Sequence, residues 1–244
     1  MTPIQQLMLG VGSKGAYSNE FDGSSELTLP WSNANLDFGS NGNITIEFWV
    51  YLDTLNNNNY PYQTMVGRWH GSNGYCWLID TNKNDGDINL YIGNANGNYV
   101  QSAHAPNGTL SASQWYHIAI VKGSNTSNAS KIYVNGTSVL SFTWNHGNTN
   151  SSTGIQVGNN NSNYGSALDG KISNFRFTHG VVYSSNFTPP TAPFEGDDGG
   201  NVQLLMCKDA DPTTAEVSKS AAGGSGANTI TNNGGVTSST DNPF

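Results

Sequence analysis

The stretch Trp115 to Gly136, WYHIAIVKGSNTSNASKIYVNG, sets the architecture of the chain. Its first part, Trp115 to Lys122, is apolar at almost every position and rich in β-formers, which predicts a strand covered on both faces. Lys131 to Val134 alternates Lys131/Tyr133 against Ile132/Val134 as a shorter partner strand. It ends in Asn135-Gly136, a dipeptide that favours a type I′ turn because both positions tolerate positive φ. Thr137 to Phe142 returns as a third strand. A meander whose first strand is buried on both faces needs a second sheet packed on it, so two layers of β-structure follow.

Working outward, Ile44 to Leu52 is the clearest strand, with Ile44, Ile46, Phe48, Val50 and Leu52 on the core face. Thr45, Glu47, Trp49 and Tyr51 form the other face, where the aromatic pair makes a candidate contact surface. Further strands are expected at Asn19–Asp22, Glu26–Pro30, Gln63–Trp69, Tyr75–Asp80, Ile88–Ile92, Tyr99–His104, Ile155–Gly158, Leu168–Thr178 and Val202–Cys207. In Leu168–Thr178 the apolar residues change parity between Ile172 and Phe175/Phe177, which predicts a bulge near Ser173-Asn174. Regular strand and turn spacing without helical periodicity points to an all-β, two-sheet antiparallel jelly-roll sandwich. Residues 1–15 read as an N-terminal attachment arm carrying Ile4, Leu7 and Leu9, 16–207 as the jelly roll, and 208–244 as a loosely structured C-terminal tail.

The 244 residues carry 9 Lys+Arg against 17 Asp+Glu, net −8, a surface that repels phosphate backbones and argues against nucleic acid. No segment is long and apolar enough for membrane insertion, and the N-terminus lacks the basic start of a signal peptide, so no export leader is expected. Cys76 and Cys207 are the 2 cysteines, expected as buried thiols with a bridge between them left open.

Phe21-Asp22-Gly23, Ile44 to Val50 (ITIEFWV), Trp115 to Ala119 (WYHIA), Ile132 to Gly136 (IYVNG) and Leu168 to Arg176 (LDGKISNFR) together resemble the laminin G-like members of the concanavalin A-like jelly-roll superfamily. A narrower likeness lies in Asn174-Phe175-Arg176, Phe187 to Pro193 (FTPPTAP), Leu204-Leu205 with Cys207, and the terminal Asp241-Asn242-Pro243-Phe244. These are similar to virion structural proteins of tailed phages, cyanophages in particular, and Met1 to Gln6 resembles the short attachment arms found there. The resemblance implies a component of the phage particle surface, made in the host cytoplasm. Its partners would be other virion proteins reached through the termini, and a trimer would suit a fibre.

The superfamily includes glycoside hydrolases with carboxylates spaced along one strand. Glu20, Asp22 and Glu26 approximate that pattern, but Gly23 breaks the strand and moves Glu26 off the shared face, so no catalytic set is expected. His117, in the buried strand, is expected as a hydrogen-bonded core residue. Asp80, Asp85 and Asp87 gather with Asn82 and Asn84 around one loop, an oxygen-rich set suited to Ca²⁺. The same composition makes an ordinary turn, which is the preferred view, with no cofactor expected.

Glycan binding needs aromatic rings for sugar faces and amides or hydroxyls for their edges. Tyr60, Tyr62, Trp69, Tyr75, Tyr99, Trp144 and Tyr164 beside abundant Asn supply both. Trp69 and Trp77 lie in strands and are assigned to the core. Tyr60, Tyr62, Trp144 and Tyr164 are the preferred ligand-binding residues. The expectation is a non-enzymatic virion structural protein whose jelly roll faces solvent or host-surface glycans, with a free lectin or adhesin as the alternative and a glycoside hydrolase behind it.

Overall fold

The computed structural model describes residues 16–30, 36–55, 61–70, 74–82, 84–94, 96–147, 154–160, 166–196, 201–219 and 229–244. The attachment-arm residues Ile4, Leu7 and Leu9 lie outside this set, as do Tyr60 and Tyr164.

The described chain forms β1 (Ser18–Asp22), β2 (Glu26–Leu29), β3 (Ile44–Leu52), β4 (Tyr62–His70), β5 (Gly74–Asn82) and β6 (Asn89–Gly93). There follow β7 (Tyr99–His104), β8 (Trp115–Lys122), β9 (Ser130–Val134), β10 (Thr137–Phe142), β11 (Ile155–Val157) and β12 (Ser166–Ala167). The last are β13 (Asp169–His179), β14 (Val202–Met206), β15 (Ala215–Ser218), β16 (Thr231–Asn233) and β17 (Thr237–Ser239). Sheet A runs β10-β9-β8-β3-β13-β1-β17, with β14 also on β13 and β15 on β14. Sheet B runs β16-β2-β11-β4-β5-β6-β7, with β12 added to β4. All pairings except β12 with β4 are antiparallel.

One apolar core fills the space between the sheets, and Ile44, Ile46, Phe48, Val50 and Leu52 all enter it. Complete burial of such side chains contributes roughly 1.5–3 kcal/mol each, so β3 anchors sheet A. Phe175, Phe177 and Ile172 enter the same core despite their unequal parity. The parity is restored by a register shift between Ser173 and Arg176, where Asn174 adopts φ 54°. That bulge also divides the edge of β13: β1 pairs with Asp169–Ile172 and β14 with Phe175–Thr178. Asn174 is locked there by its N–H donating to Cys207 O and its Oδ1 accepting from Phe194 N–H, each at 2.8 Å.

The centre of the outer face of sheet A is covered by the chain itself. The segment following β13 crosses it as a strap, placing Tyr183 and Phe187 on Ala119, Val121 and Tyr133. Phe194, Val202 and Leu205 pack on Trp49 with Phe244. The Trp49/Tyr51 surface expected to meet another molecule is thus met at Trp49 by the chain itself. Beneath the strap Glu47, fully buried, accepts from Arg176 Nη2 at 2.7 Å and Arg176 Nε at 2.9 Å. Its other oxygen accepts from the Tyr183 hydroxyl at 2.8 Å and lies 3.3 Å from His117 Nε2. Burial alone would raise the Glu47 pKa, but His117 and Arg176 outweigh it and hold the carboxyl below its ordinary value.

The tail differs from the sequence expectation. Within 208–244, β15 extends sheet A, β16 edges sheet B on β2, and β17 edges sheet A on β1. Ile230 and Val236 are core residues. These short strands are largely polar and gain their order from ladder hydrogen bonds to β14, β2 and β1 rather than from their own hydrophobic pattern. Cys76 and Cys207 are both buried and free, so the bridge left open above is not made.

The Asn135-Gly136 turn takes φ 48° and 76°, as its sequence predicts. A methyl group on Gly136 would run into the Phe187 carbonyl of the strap. Gly136→Ala is therefore expected to cost about 2 kcal/mol or more in urea unfolding, against less than about 0.5 kcal/mol for the exposed neighbour Thr137→Ala.

Candidate functional site

Strands β4–β7 place a group of aromatic rings on the outer face of sheet B. Leu90 and Ile92 of β6 point into the core, so Asn89 and Tyr91 point out. A register shift in the β4–β5 pair between Arg68 and Trp69 does the same for two further rings. Cys76 and Trp77 both enter the core, while Trp69 and Tyr75 turn outward and stack at 4.4 Å and 25°. Tyr91 and Tyr99 each lie 6.1 Å from Trp69, inclined at 54° and 71°. The four rings form a corner with Tyr99 at its rim, 50% exposed.

A polar strip borders the corner. Asn89 Nδ2 donates to Asp80 Oδ1 at 3.0 Å and to Asp87 Oδ1 at 3.2 Å. His104 Nδ1 meets Asn89 Oδ1, and its Nε2 lies 2.9 Å from Ser102 Oγ. The His104 ring stands edge-on to Tyr91 at 6.0 Å. Tyr62 hydrogen-bonds to Tyr91, whose hydroxyl pKa is raised by burial and by Asp80. Burial is also the main cause that pushes Asp80 up to about 8, with Asp87 adding repulsion against the opposing Asn89 hydrogen bond.

Among the expected site residues, Tyr62 thus belongs to this face. Trp144 does not: it lies in a loop, but its indole is fully buried, edge-on to Phe38 at 5.7 Å and stacked on Phe142 at 6.3 Å. A sugar cannot reach it. Trp77 is core as expected; Trp69 is buried too, at 9% exposure, but beside Tyr75 on the outer face rather than between the sheets, a side that simple alternation cannot show because Met65 is an extra residue in β4.

The calcium alternative has no support in the geometry. Asp80 and Asp87 are turned onto Asn89, and Asp87 Oδ1 also accepts from Asn82 N–H at 2.8 Å. Asp85 holds the turn through its carbonyl, which accepts from Gly108 N–H. Among the described residues no group of three or more His, Cys, Asp or Glu is placed to hold a metal ion. Glu20 and Glu26 are separated by the fold, Glu20 on sheet A and Glu26 on sheet B. Asp22 caps the turn between them, and hydrogen bonds from Ser24 and Ser25 lower its pKa. No helix among the described residues is long and apolar enough to cross a membrane.

A family model for the concanavalin A-like lectin/glucanases superfamily matches residues 21–185. The chain belongs to this superfamily. No curated protein sequence matches it. Among solved structures, the superfamily fold is shared with a Bacteroides ovatus protein to which carbohydrate binding has been ascribed, at TM-score 0.63 and 16% identity. The match covers 93% of this chain and 60% of that one, so this chain spans well under the full length of that relative. A heptameric SAP-like pentraxin from Limulus polyphemus matches at TM-score 0.49 and 16% identity, over 71% of this chain and 81% of that one. Domain 4 of a GH43 extracellular arabinanase from Geobacillus stearothermophilus, solved with arabinotriose, matches at TM-score 0.47 and 21% identity, over 68% and 72%.

The raised Asp80 pKa has a consequence for stability. In the unfolded chain this carboxyl ionises near its model value of 3.8, whereas in the fold it holds its proton to about 8. The native state therefore binds the extra proton between these values, and stability falls as pH rises through that window. Asp80→Asn is expected to flatten the decline in Tm between about pH 5 and pH 8, as thermal unfolding in a buffer series measures.

Proposed function

We propose that the protein is a non-enzymatic glycan-binding jelly roll, with the β4–β7 outer face as its site. The observation that carries this is the Trp69/Tyr75 stack at 4.4 Å with Tyr91 and Tyr99 around it, beside an amide, an imidazole and a hydroxyl. Flat rings cover the apolar faces of sugars, and the polar strip meets their hydroxyl edges. The carbohydrate-binding character ascribed to the Bacteroides ovatus relative agrees with this. Against hydrolysis, the two nearby carboxylates are 3% and 8% exposed and bonded to Asn89. Neither is turned to protonate a leaving group or activate water.

The finer reading is a module carried on a phage particle, held by its termini with the glycan face outward. It is supported by the sequence likeness, whose motifs meet on one layer. Arg176 lies under Phe194 at 4.2 Å, Phe194 N–H bonds Asn174, and Phe244 is edge-on to Trp49 at 5.8 Å. Both ends of the described chain meet at the β1/β17 edge of sheet A, where Asn242 Nδ2 donates to Ala16 O at 2.9 Å. The aromatic corner lies on β4–β7 of the other sheet.

On a glycan array, wild-type protein is expected to bind, and Tyr75→Ala with Tyr99→Ala to weaken binding at least about tenfold, or ~1.4 kcal/mol, with Tm little changed. Wild-type affinity in the double variant would rule the face out. For the particle, protein lacking residues 1–15 is expected to fold and bind glycan yet be missing from purified virions by mass spectrometry. Normal incorporation would defeat the anchoring role of residues 1–15, and absence of the full chain from particles would favour a free lectin.

A further inference from the structure

Asn89 has a fixed hydrogen-bond polarity. Both of its amide hydrogens are committed, at 3.0 Å to Asp80 and 3.2 Å to Asp87, so its side-chain oxygen is the atom that faces His104 Nδ1. That oxygen only accepts, and the facing ring nitrogen must carry a proton. In the neutral imidazole, Nε2 is then an acceptor, and the partner 2.9 Å away, Ser102 Oγ, donates to it. With its own proton spent on His104, the half-buried Ser102 hydroxyl, paired with Tyr91 in the β6–β7 ladder, has only lone pairs left to offer. The chain Asp80/Asp87–Asn89–His104–Ser102 therefore ends at the surface on an acceptor.

Charge points the same way. Among the described residues of strands β4–β7, Arg68 is the one Lys or Arg; it is 1% exposed and held by Asp37 at 2.9 Å and Leu36 O at 3.0 Å, while Lys83 of the β5–β6 connection lies outside the described residues. A carboxylated or sulfated sugar would bring acceptor-only oxygens and negative charge to a face with no free donor at Ser102 and the Asp87 carboxylate behind it. A sugar hydroxyl carries the proton that the Ser102 lone pair needs.

We propose that this site selects uncharged glycans, with Ser102 as the contacting acceptor and His104 as the residue that positions it; the proposal rests on the glycan-binding reading above. The test uses a polysaccharide panel in paired forms, native against carboxyl-reduced and sulfated against desulfated, with binding measured on the full chain. Uncharged forms are expected to bind at least about tenfold more tightly than their charged partners. Ser102→Ala and His104→Ala should each weaken uncharged binding about fivefold or more at unchanged Tm, and Ser102→Lys should raise binding of charged forms. Equal affinity for charged and uncharged forms, or wild-type binding by both alanine variants, would overturn the proposal. Binding of charged forms alone, still lost in the Tyr75/Tyr99 double variant, would overturn the selectivity and leave glycan binding standing. Binding of neither form would overturn both.

Discussion

A carboxylate without solvent has to be compensated inside the protein, and Glu47 is compensated from two layers at once. Arg176 reaches it along the same sheet, while Tyr183 comes down from the strap that lies above. Removing one partner of such a buried pair strands a charge at a cost of about 3–5 kcal/mol, so strap and sheet are tied together. His117 sits among Trp49, Tyr183, Phe187 and Phe194, with ring centroids 5.2–6.2 Å away. Sheet A is thereby apolar-packed on its inner side and roofed by its own chain at its centre. Among the described residues, the hydrophobic clusters outside the sandwich all lie on this sheet.

What sheet A closes, sheet B offers. Its outer face carries rings that stack on one another rather than on a covering segment, and its polar groups are ordered by a directional chain of hydrogen bonds. Such a chain fixes side-chain orientation before any ligand arrives, which reduces the ordering cost of binding. The bulges that turn Trp69 and Tyr75 outward are a local deviation in the β4–β5 ladder, yet they determine whether the face is an aromatic corner or a bare sheet.

Most of the sandwich was legible in the sequence because its strands are β-rich runs bounded by turn residues, alternating in β3 and apolar nearly throughout in β8: β3, β7, β8 and β10 begin and end where those runs do. The bulge at Asn174 was legible too, since Ile172, Phe175 and Phe177 could share a face only with an extra residue. The edge strands β15, β16 and β17 were not, because small polar residues in a ladder look like those in a linker. Trp144 was read as a sugar platform from its loop position, but a loop can fold its one large side chain inward, and here Phe38 and Phe142 receive it. The site itself was half visible. The residue types were there in Tyr62, Trp69, Tyr75 and Tyr99, but their common face depends on register shifts that alternation cannot carry. The Asn89–His104–Ser102 chain had no local sequence signal, since it spans β6 and β7.

The account stands on one sheet face being open to a sugar and the other being sealed. Indole N–H signals in a two-dimensional NMR titration with a bound neutral oligosaccharide report both at once. Saturable shifts at Trp69, with Trp49 and Trp115 unmoved, are the predicted result. Shifts at Trp49 or Trp115 with Trp69 unchanged would place the ligand on the roofed sheet and contradict it.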